Sequence, residues 1–331
     1  MDGWRAIAII FVILAHLGQV NSFALAVAPV NFGQAARLGV YIFFFISGFV
    51  IYRYSLTRLE SPGVFRFYLR RGARLVPALA VYLSVCLLLG MMKLIDFSVI
   101  NYLAPFTYLT NTTLVEPTWY AGHTWSLSFE EQFYLIFPWF LLWKNLSRWL
   151  RLVLICSFVL MIALPIVYTI NWIGKTGVLS VWYLMFLGAM FAKYNVPSLL
   201  ESKKSVSILL FTTGLLGIFA AEVFVSKQAV LRILEALFIP FFIVAGRQIE
   251  LLHQALNAKL IQLIAGMSYS LYLWQQLATG PWVRSWDLLM VCLVLFCTTL
   301  MAYLSKIMLE ERFKRLLYRK INNGSWANDK E

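Results

Sequence analysis

Residues 2–16 read DGWRAIAIIFVILAH, and this stretch decides the class of the protein because it places two ionisable side chains in otherwise apolar sequence. Arg5 and His16 are eleven residues apart, about three turns of an α-helix, so they share one face and lie roughly 16 Å apart along the axis. A charge buried in hydrocarbon costs several kcal/mol and normally faces a bundle interior or a wet cavity. The stretch therefore predicts a membrane helix with a functional face. A snorkelling Arg5 and a neutral His16 bonded to a backbone carbonyl would give the same pattern.

The composition places the whole chain in a membrane. Of its 331 residues, 61% are hydrophobic and 13% are charged, and the mean hydropathy is +0.76. A soluble globular surface needs more polar side chains than this. The formal net charge of +13 would suggest nucleic acid as the partner of a soluble protein, but here the basic residues lie in loops, where they set orientation. We therefore expect the lipid bilayer as a partner and no nucleic acid.

Ten stretches are long and apolar enough to span the bilayer, since a span takes about 17–25 residues. The predicted spans, joined by a long outer loop at 93–125, are 6–22, 38–54, 74–92, 126–143, 150–170, 178–194, 205–225, 229–246, 261–279 and 286–308. With the N-terminus in the cytoplasm, 22 of the 28 Lys and Arg residues fall on the cytoplasmic side, as the positive-inside rule requires. The sequence predicts an all-α, polytopic membrane protein of about ten transmembrane helices with both termini cytoplasmic. Its membrane domain covers 1–310, and a short, basic tail that we expect to be disordered covers 311–331.

A basic stripe lies between the second and third predicted spans, in VFRFYLRRGARLVPA, residues 64–78. Three arginines recur every four residues beside a fourth, so on a helix they form one face that we expect Pro77 to end. The four are Arg66, Arg70, Arg71 and Arg74. Such a helix either grips anionic lipid at the interface or clamps the phosphates of a nucleotide-like donor, to which arginine's planar fork is suited.

A second unusual stretch reads GHTWSLSFEEQFYLIFPWF, residues 122–140. Ser126, Glu130 and Tyr134 lie at i, i+4 and i+8 on one helical face, with Glu131 beside Glu130. Two adjacent carboxylates at the start of a membrane helix are costly unless they are used, although one of them would also complement the helix dipole. We predict that the pair belongs to a functional site.

Two further sets of side chains indicate either a ligand or ordinary packing. Tryptophans recur near the predicted outer face, where they form an aromatic belt or stacking platforms for a sugar: Trp119, Trp125, Trp172, Trp282 and Trp286. The stretch GMSYSLYLWQQ, residues 266–276, places Tyr269, Tyr272 and Gln276 on one face of the ninth span. Gln275 and Gln276 would orient a catalytic group or hydrogen-bond between helices.

With these stretches in hand, the chain resembles the acyltransferase family 3 membrane proteins, many of which O-acylate sugars of bacterial envelope polysaccharides. The resemblance rests on five blocks in the family's order. They are DGWRAIAIIFVILAH with its Arg-ten-residues-His signature, GVYIFFFISGFVIYR, FYLRRGARLVPA, HTWSLSFEEQFYLIFP and MSYSLYLWQQ. A single Arg and His at this spacing would be weak evidence, whereas five ordered blocks cover nearly the whole chain.

The resemblance implies that Arg5 and His16 are essential. It also places residues in two further regions: Arg70, Arg71 and Arg74 in the donor-binding region, and Glu130 and Glu131 in the acidic block. One departure concerns the ninth span, where the family usually has histidine after YLW and this chain has Gln275 and Gln276. That departure argues against a proton relay on the ninth span.

The expected function is that of a multi-pass O-acyltransferase of the cell inner (plasma) membrane. Acyl-CoA, most simply acetyl-CoA, would bind its phosphates on the basic stripe, and the acceptor would be a hydroxyl of a surface glycan or lipid-linked oligosaccharide. We expect no metal. The predicted catalytic residues are His16, Arg5, Glu130 and Glu131. The predicted substrate-binding residues are Trp125, Ser126, Tyr134, Tyr269 and Gln276.

In this scheme His16 acts as general base on the acceptor hydroxyl, or as a transient acyl carrier. Glu130 or Glu131 would fix the tautomer of His16 or bind sugar hydroxyls. The alternative is a transporter or flippase of a lipid-linked glycan or acyl group, in which the histidine and the glutamates relay protons.

Overall fold

Helices build the part of the chain that the computed structural model describes, which is residues 1–20, 32–56, 63–112, 116, 118–141, 148–149, 151–153, 155–156, 159, 178–201, 203–224, 228–285 and 287–323. The helices are α1 (Asp2–Val20), α2 (Phe32–Leu56), α3 (Gly63–Met91), α4 (Val99–Phe106), α5 (Trp119–Gly122), α6 (Trp125–Leu141), α7 (Val178–Lys193), α8 (Val196–Glu201), α9 (Lys204–Phe224), α10 (Gln228–Gly246), α11 (Glu250–Leu256), α12 (Lys259–Gly266), α13 (Ser268–Ala278), α14 (Leu288–Ser305) and α15 (Arg312–Asn323). A 3-10 turn covers Pro281–Ser285, and a π-helical segment covers Lys306–Glu311. Since these ranges contain no strand, the predicted all-α class is confirmed.

Four helical stretches are long and apolar enough to cross a membrane: Asp2–Val20, Ala36–Arg53, Phe65–Met91 and Leu288–Leu317. Shorter apolar helices occupy Lys204–Ala220 and Leu237–Gly246. The chain is therefore a membrane protein, while the total of ten spans and the side of the two termini stay predictions. Most of the predicted fifth span lies outside the described residues, as do Trp172 and Trp286.

The centre of the fold is α2, which packs against both α1 and α7. Glycines allow these backbones to approach closely, as is common between membrane helices. A Cβ on Gly39 would collide with the backbone of Ala8 in α1, and a Cβ on Gly48 would collide with the backbone of Met185 in α7. The close contact holds α1, and with it Arg5, at a fixed distance from the neighbouring helices.

The basic stripe opens α3 and is not a separate helix that Pro77 ends. Pro77 lies inside α3, which continues to Met91. The hydroxyl of Tyr269 donates to the carbonyl of Leu75, two residues before the proline, at 2.8 Å, which ties α3 to α13. The arginines therefore belong to the same helix as the apolar stretch Phe65–Met91.

The predicted outer loop at 93–125 folds back along α3. Helix α4 packs against α3, and Tyr108 lines a cavity together with Gly72 and Val76. Gln132 of α6 holds this segment by donating to the carbonyl of Tyr108 at 2.9 Å. The segment therefore packs against α3 and α6, while its side of the membrane stays a prediction.

The predicted ninth span, 261–279, consists of two helices. It breaks at Met267, where φ is −108° and ψ is 12°, directly after Gly266, a residue type that stabilises helices poorly. The predicted disordered tail from about Leu309 is helical as far as Asn323. Apolar residues at helical spacing in α15, which packs against α3, explain this order.

Candidate active site

A cavity of about 50 Å³ lies beside Arg5, where α1, α2, α6 and α13 meet. Its lining consists of Arg5, Val40, Phe43, Phe44, Ser126, Leu127, Glu130, Ser268, Tyr269 and Tyr272. The structure thus brings together four predicted site residues that come from three helices. Glu130 and Arg74 lie within electrostatic reach of Arg5, but no hydrogen bond or ion pair joins Arg5 to another described residue. The guanidinium is therefore available to a ligand.

Beside the cavity lies a charged cluster, by which we mean Arg71, Glu130, Glu131, Tyr134 and Ser47. Nε of Arg71 donates to Oε1 of Glu131 at 2.8 Å, and the guanidinium carbon lies 3.3 Å from the centre of the Tyr134 ring. The Tyr134 hydroxyl donates to Oε1 of Glu130 at 2.9 Å, and the Ser47 hydroxyl donates to the same oxygen. Arg71 is therefore neutralised within the protein, and a donor phosphate would have to compete with Glu131 for it.

The two carboxylates lie in the second turn of α6, and its first turn contains no acidic residue. They are thus too far into the helix to serve as caps, and both pair with the guanidinium of Arg71 instead. Ser47 was not predicted as a site residue. The signal that could have identified it is the Ser-Gly pair inside the apolar run FFFISGFV.

The other three arginines of the stripe lie on the same helix, α3. Arg66 and Arg70 are partly exposed, and Nε of Arg74 is 3.5 Å from a carboxylate oxygen of Glu310. Glu310 is only 4% exposed and accepts a hydrogen bond of 2.6 Å from Ser270. It sits in the π-helical segment, a distortion that often marks functional sites. Sequence reasoning missed Glu310 because it assigned this segment to the end of the membrane domain and the tail.

At the other end of α1 lies a neutral network, by which we mean His16, Gln275, Gln276, Tyr272 and Ser126. Nδ1 of His16 is 2.9 Å from Oε1 of Gln275, and Nε2 of Gln275 donates to Oε1 of Gln276 at 2.9 Å. One turn away on α13, the Tyr272 hydroxyl is 2.6 Å from Oγ of Ser126. Nε2 of Gln275 also donates to the backbone carbonyl of Tyr272 at 3.5 Å. Since Tyr272 and Ser126 line the cavity, Tyr272 is the residue that links the contacts of His16 to the Arg5 end.

The expectation that Glu130 or Glu131 fixes the tautomer of His16 is wrong. Both carboxylates are engaged in the charged cluster, whereas Gln275 is the residue in contact with His16. Gln276, which we expected to bind substrate, is 3% exposed and contacts Gln275.

Aromatic residues of α5 and α6 also reach the site. The Trp119 ring lies edge-on to His16 with ring centres 5.8 Å apart. Trp125 packs against Phe44, a cavity residue, at 6.3 Å, while Trp282 stacks on another aromatic ring. Trp119 and Trp125 therefore contact the site and do more than form an interfacial belt.

His123 is a further site residue, at the start of the HTWSLSF block. It is 5% exposed, its carbonyl accepts a hydrogen bond of 2.6 Å from Tyr272, and its ring packs edge-on to Tyr82 at 5.7 Å. Burial, and to a smaller extent the nearby His16, lower the pKa of His123 to about 3. The side chain is therefore neutral near pH 7.

A larger cavity of about 360 Å³ also borders the charged cluster, between α3, α6 and residues 107–109. Its lining is Tyr68, Arg71, Gly72, Val76, Thr107, Tyr108, Leu109, Glu131, Gln132, Tyr134 and Leu135. Three of these residues are large apolar side chains that are also exposed: Val76, Leu109 and Leu135. Residues of the charged cluster therefore line both cavities.

These features define a class of protein: a membrane protein with an arginine and a histidine on one helix face and a cavity beside the arginine. The family described as the acyltransferase domain matches residues 1–307, so the chain belongs to this family of acyltransferases. The resemblance found in the sequence is thereby confirmed.

Two relatives show the extent of the similarity. The O-acetyltransferase OatA of Staphylococcus aureus (strain NCTC 8325 / PS 47) is 27% identical over 311 residues, covering 83% of this chain and 49% of the relative. The peptidoglycan O-acetyltransferase OatA of Listeria monocytogenes is 31% identical over 164 residues, covering 43% of this chain and 24% of the relative. The chain thus spans about half the length of the Staphylococcus relative. No solved structure gives a significant match.

Proposed function

We propose that this protein transfers an acetyl group from cytoplasmic acetyl-CoA to a hydroxyl of a surface glycan or lipid-linked sugar, in the cell inner membrane. The observation that carries the proposal is the arrangement along α1, where an available guanidinium borders a cavity and a polar network leads from that cavity to His16. The names of the relatives support acetyl as the group and a cell-wall glycan as the acceptor.

Arg5 is suited to orient an anionic or carbonyl-bearing donor because its charge faces the cavity. The basic stripe contributes Arg66, Arg70 and Arg74 as phosphate ligands. Arg71 has a different role, since Glu131 and Tyr134 already hold it. The charged cluster shapes the wall along which the donor lies, and the acyl group reaches towards His16.

At the His16 end, the imidazole removes the proton of the acceptor hydroxyl as its oxygen attacks the thioester carbonyl carbon. The carbon–sulfur bond then breaks, and the CoA thiolate takes the proton from the imidazolium. No net charge accumulates on the protein over the cycle. General base catalysis of this kind contributes about 10²- to 10⁴-fold in rate.

The test compares alkali-labile acetate on the surface glycan of cells that make the wild-type protein or His16→Ala at matched membrane levels. We expect His16→Ala to lower the acetate at least about 100-fold, because it removes the base. Equal acetate in both would remove His16 from the mechanism, and acetate in neither would contradict acetyl transfer to glycan.

A second measurement separates transfer from transport. Purified protein in detergent, with [14C]acetyl-CoA and no membrane gradient, should release CoA thiol or label an added sugar acceptor. A flippase of a lipid-linked glycan would do neither under these conditions.

A further inference from the structure

The amide of Gln275 lies between His16 and Gln276 and is fully buried. Its carbonyl oxygen is 2.9 Å from Nδ1 of His16, and the hydroxyl of Thr279 donates to the same oxygen at 3.5 Å. Its nitrogen donates to Oε1 of Gln276 at 2.9 Å and to the backbone carbonyl of Tyr272 at 3.5 Å. Each polar atom of the amide thus has two partners.

The orientation of this amide follows from its surroundings. A backbone carbonyl can only accept, so the amide nitrogen of Gln275 belongs on the side of Tyr272. The amide oxygen then faces His16. An amide oxygen accepts but never donates, so the hydrogen bond to His16 requires a proton on Nδ1. A neutral imidazole protonated at Nδ1 carries its lone pair on Nε2.

We infer that Gln275 is a positioning residue that holds His16 in the tautomer with the proton on Nδ1, so that Nε2 is the nitrogen that takes the proton of the acceptor hydroxyl. This inference rests on the proposed function. Among the described residues, Nε2 of His16 has no hydrogen-bond partner, so it is the ring nitrogen left for a substrate. Gln276 supports the arrangement indirectly, because it holds the Gln275 nitrogen.

The amide also determines where the proton goes. Neither Gln275 nor Gln276 can take up a proton at physiological pH, so α13 cannot relay one away from His16. The proton that Nε2 receives therefore stays on the imidazolium until the CoA thiolate takes it. An uncharged partner stabilises the imidazolium less than a carboxylate does, which keeps the base in its neutral, active form at lower pH.

The experiment measures transfer of label from [14C]acetyl-CoA to alkali-labile ester on the endogenous glycan, in membranes from cells that make each variant at matched levels, between pH 5 and 9. Gln275→Leu removes the acceptor for Nδ1–H. Losing the hydrogen bond that orients the base should lower kcat about 10-fold, with little change in KM for acetyl-CoA. Gln254→Leu, at an exposed position on α11, is the matched control and should behave as the wild type.

Gln275→Glu keeps the shape of the side chain and adds charge, so it distinguishes positioning from packing. A carboxylate still accepts from Nδ1–H and stabilises the imidazolium, so the rise of activity with pH should move to higher pH by about one unit. A merely structural role for Gln275 would leave the pH profile in place.

The inference is overturned if Gln275→Leu transfers as fast as the wild type, or if an active Gln275→Glu variant keeps the wild-type pH profile. Failure of the proposed function is a separate outcome, since wild-type membranes would then label glycan no more than His16→Ala membranes do.

Discussion

The two ends of α1 hold opposite kinds of polar chemistry. Around Arg5 the neighbouring groups are charged, and the carboxylates of the charged cluster are paired with Arg71. Around His16 the described hydrogen-bond partner is a neutral amide, and that amide leads to another. A charge in a membrane needs an opposite charge or water, whereas amides need only hydrogen-bond partners to be buried. The comparison teaches that charged groups and neutral amides are separated along one helix, as the proposed division between donor binding and proton transfer requires.

Among the variants that test this comparison, the largest effect is expected from removing the charge at the Arg5 end. Arg5→Gln should raise the KM for acetyl-CoA about 10- to 100-fold and change kcat by less than about threefold. A charge-assisted hydrogen bond contributes about 1.5–3 kcal/mol, and a ground-state interaction appears in KM. Initial rates in isolated membranes over a range of acetyl-CoA concentrations measure both constants. Lys259→Gln, an exposed position on α12, is the control.

If Arg5→Gln lowered kcat and left KM unchanged, donor binding and catalysis would not be divided between the two ends of α1. Arg5 would then act on the transition state, as His16 is proposed to do, and donor binding would have to be assigned to the basic stripe alone.

A somewhat smaller effect, on stability, is expected in the charged cluster. Glu131→Gln leaves Arg71 with a single carboxylate at 3.7 Å, that of Glu130. Breaking a fully buried pair costs about 3–5 kcal/mol, and since Arg71 and Glu131 are 23% and 13% exposed, we expect about 1.5 kcal/mol after allowing for solvent screening. Chemical unfolding in detergent, followed by tryptophan fluorescence, measures the loss.

The matched control for that variant is Glu311→Gln. Glu311 is 49% exposed and lies 3.8 Å from Lys306, and exposed pairs of this kind contribute about 0–1 kcal/mol. If both variants lost the same stability, the charged cluster would be no more than a surface ion pair.

The sequence alone was sufficient to predict which side chains lie on the same face of a single helix. Helical periodicity alone places Arg5 and His16 on one face of α1. It also places Ser126 and Glu130 on one face of α6, and both line the cavity. The family resemblance added the order of the blocks, which the match over residues 1–307 confirms.

Contacts between helices could not be predicted from the sequence. Gln275 is 259 residues from His16, and Ser47 is 83 residues from Glu130. Periodicity shows which residues share a face but not which helix that face meets, so the sequence left open whether His16 meets a glutamate of α6 or a glutamine of α13. The same limit applies to Glu310, which reaches Arg74 because a π-helical turn carries it inward.

The smallest expected effect comes from the neutral network and tests whether charge is what separates the two ends. Tyr272→Phe removes the hydroxyl that lies 2.6 Å from Oγ of Ser126 and donates to the His123 carbonyl. Ser126 then keeps only its contact of 3.4 Å with the same carbonyl. A neutral hydrogen bond contributes about 1 kcal/mol, so the loss in the same unfolding assay should be smaller than that of Glu131→Gln.

Tyr303→Phe, at a position that is 40% exposed, is the control for removing a tyrosine hydroxyl and should leave stability nearly unchanged. Tyr272→Phe could instead lose more stability than Glu131→Gln. The hydrogen bonds of the Tyr272 hydroxyl, and not the Arg71–Glu131 ion pair, would then hold α6 and α13 around the cavity. A loss of unfolding free energy near 1 kcal/mol would instead show that the charged cluster holds the helices more strongly than the neutral network does. That difference is expected if the His16 end must admit an acceptor hydroxyl.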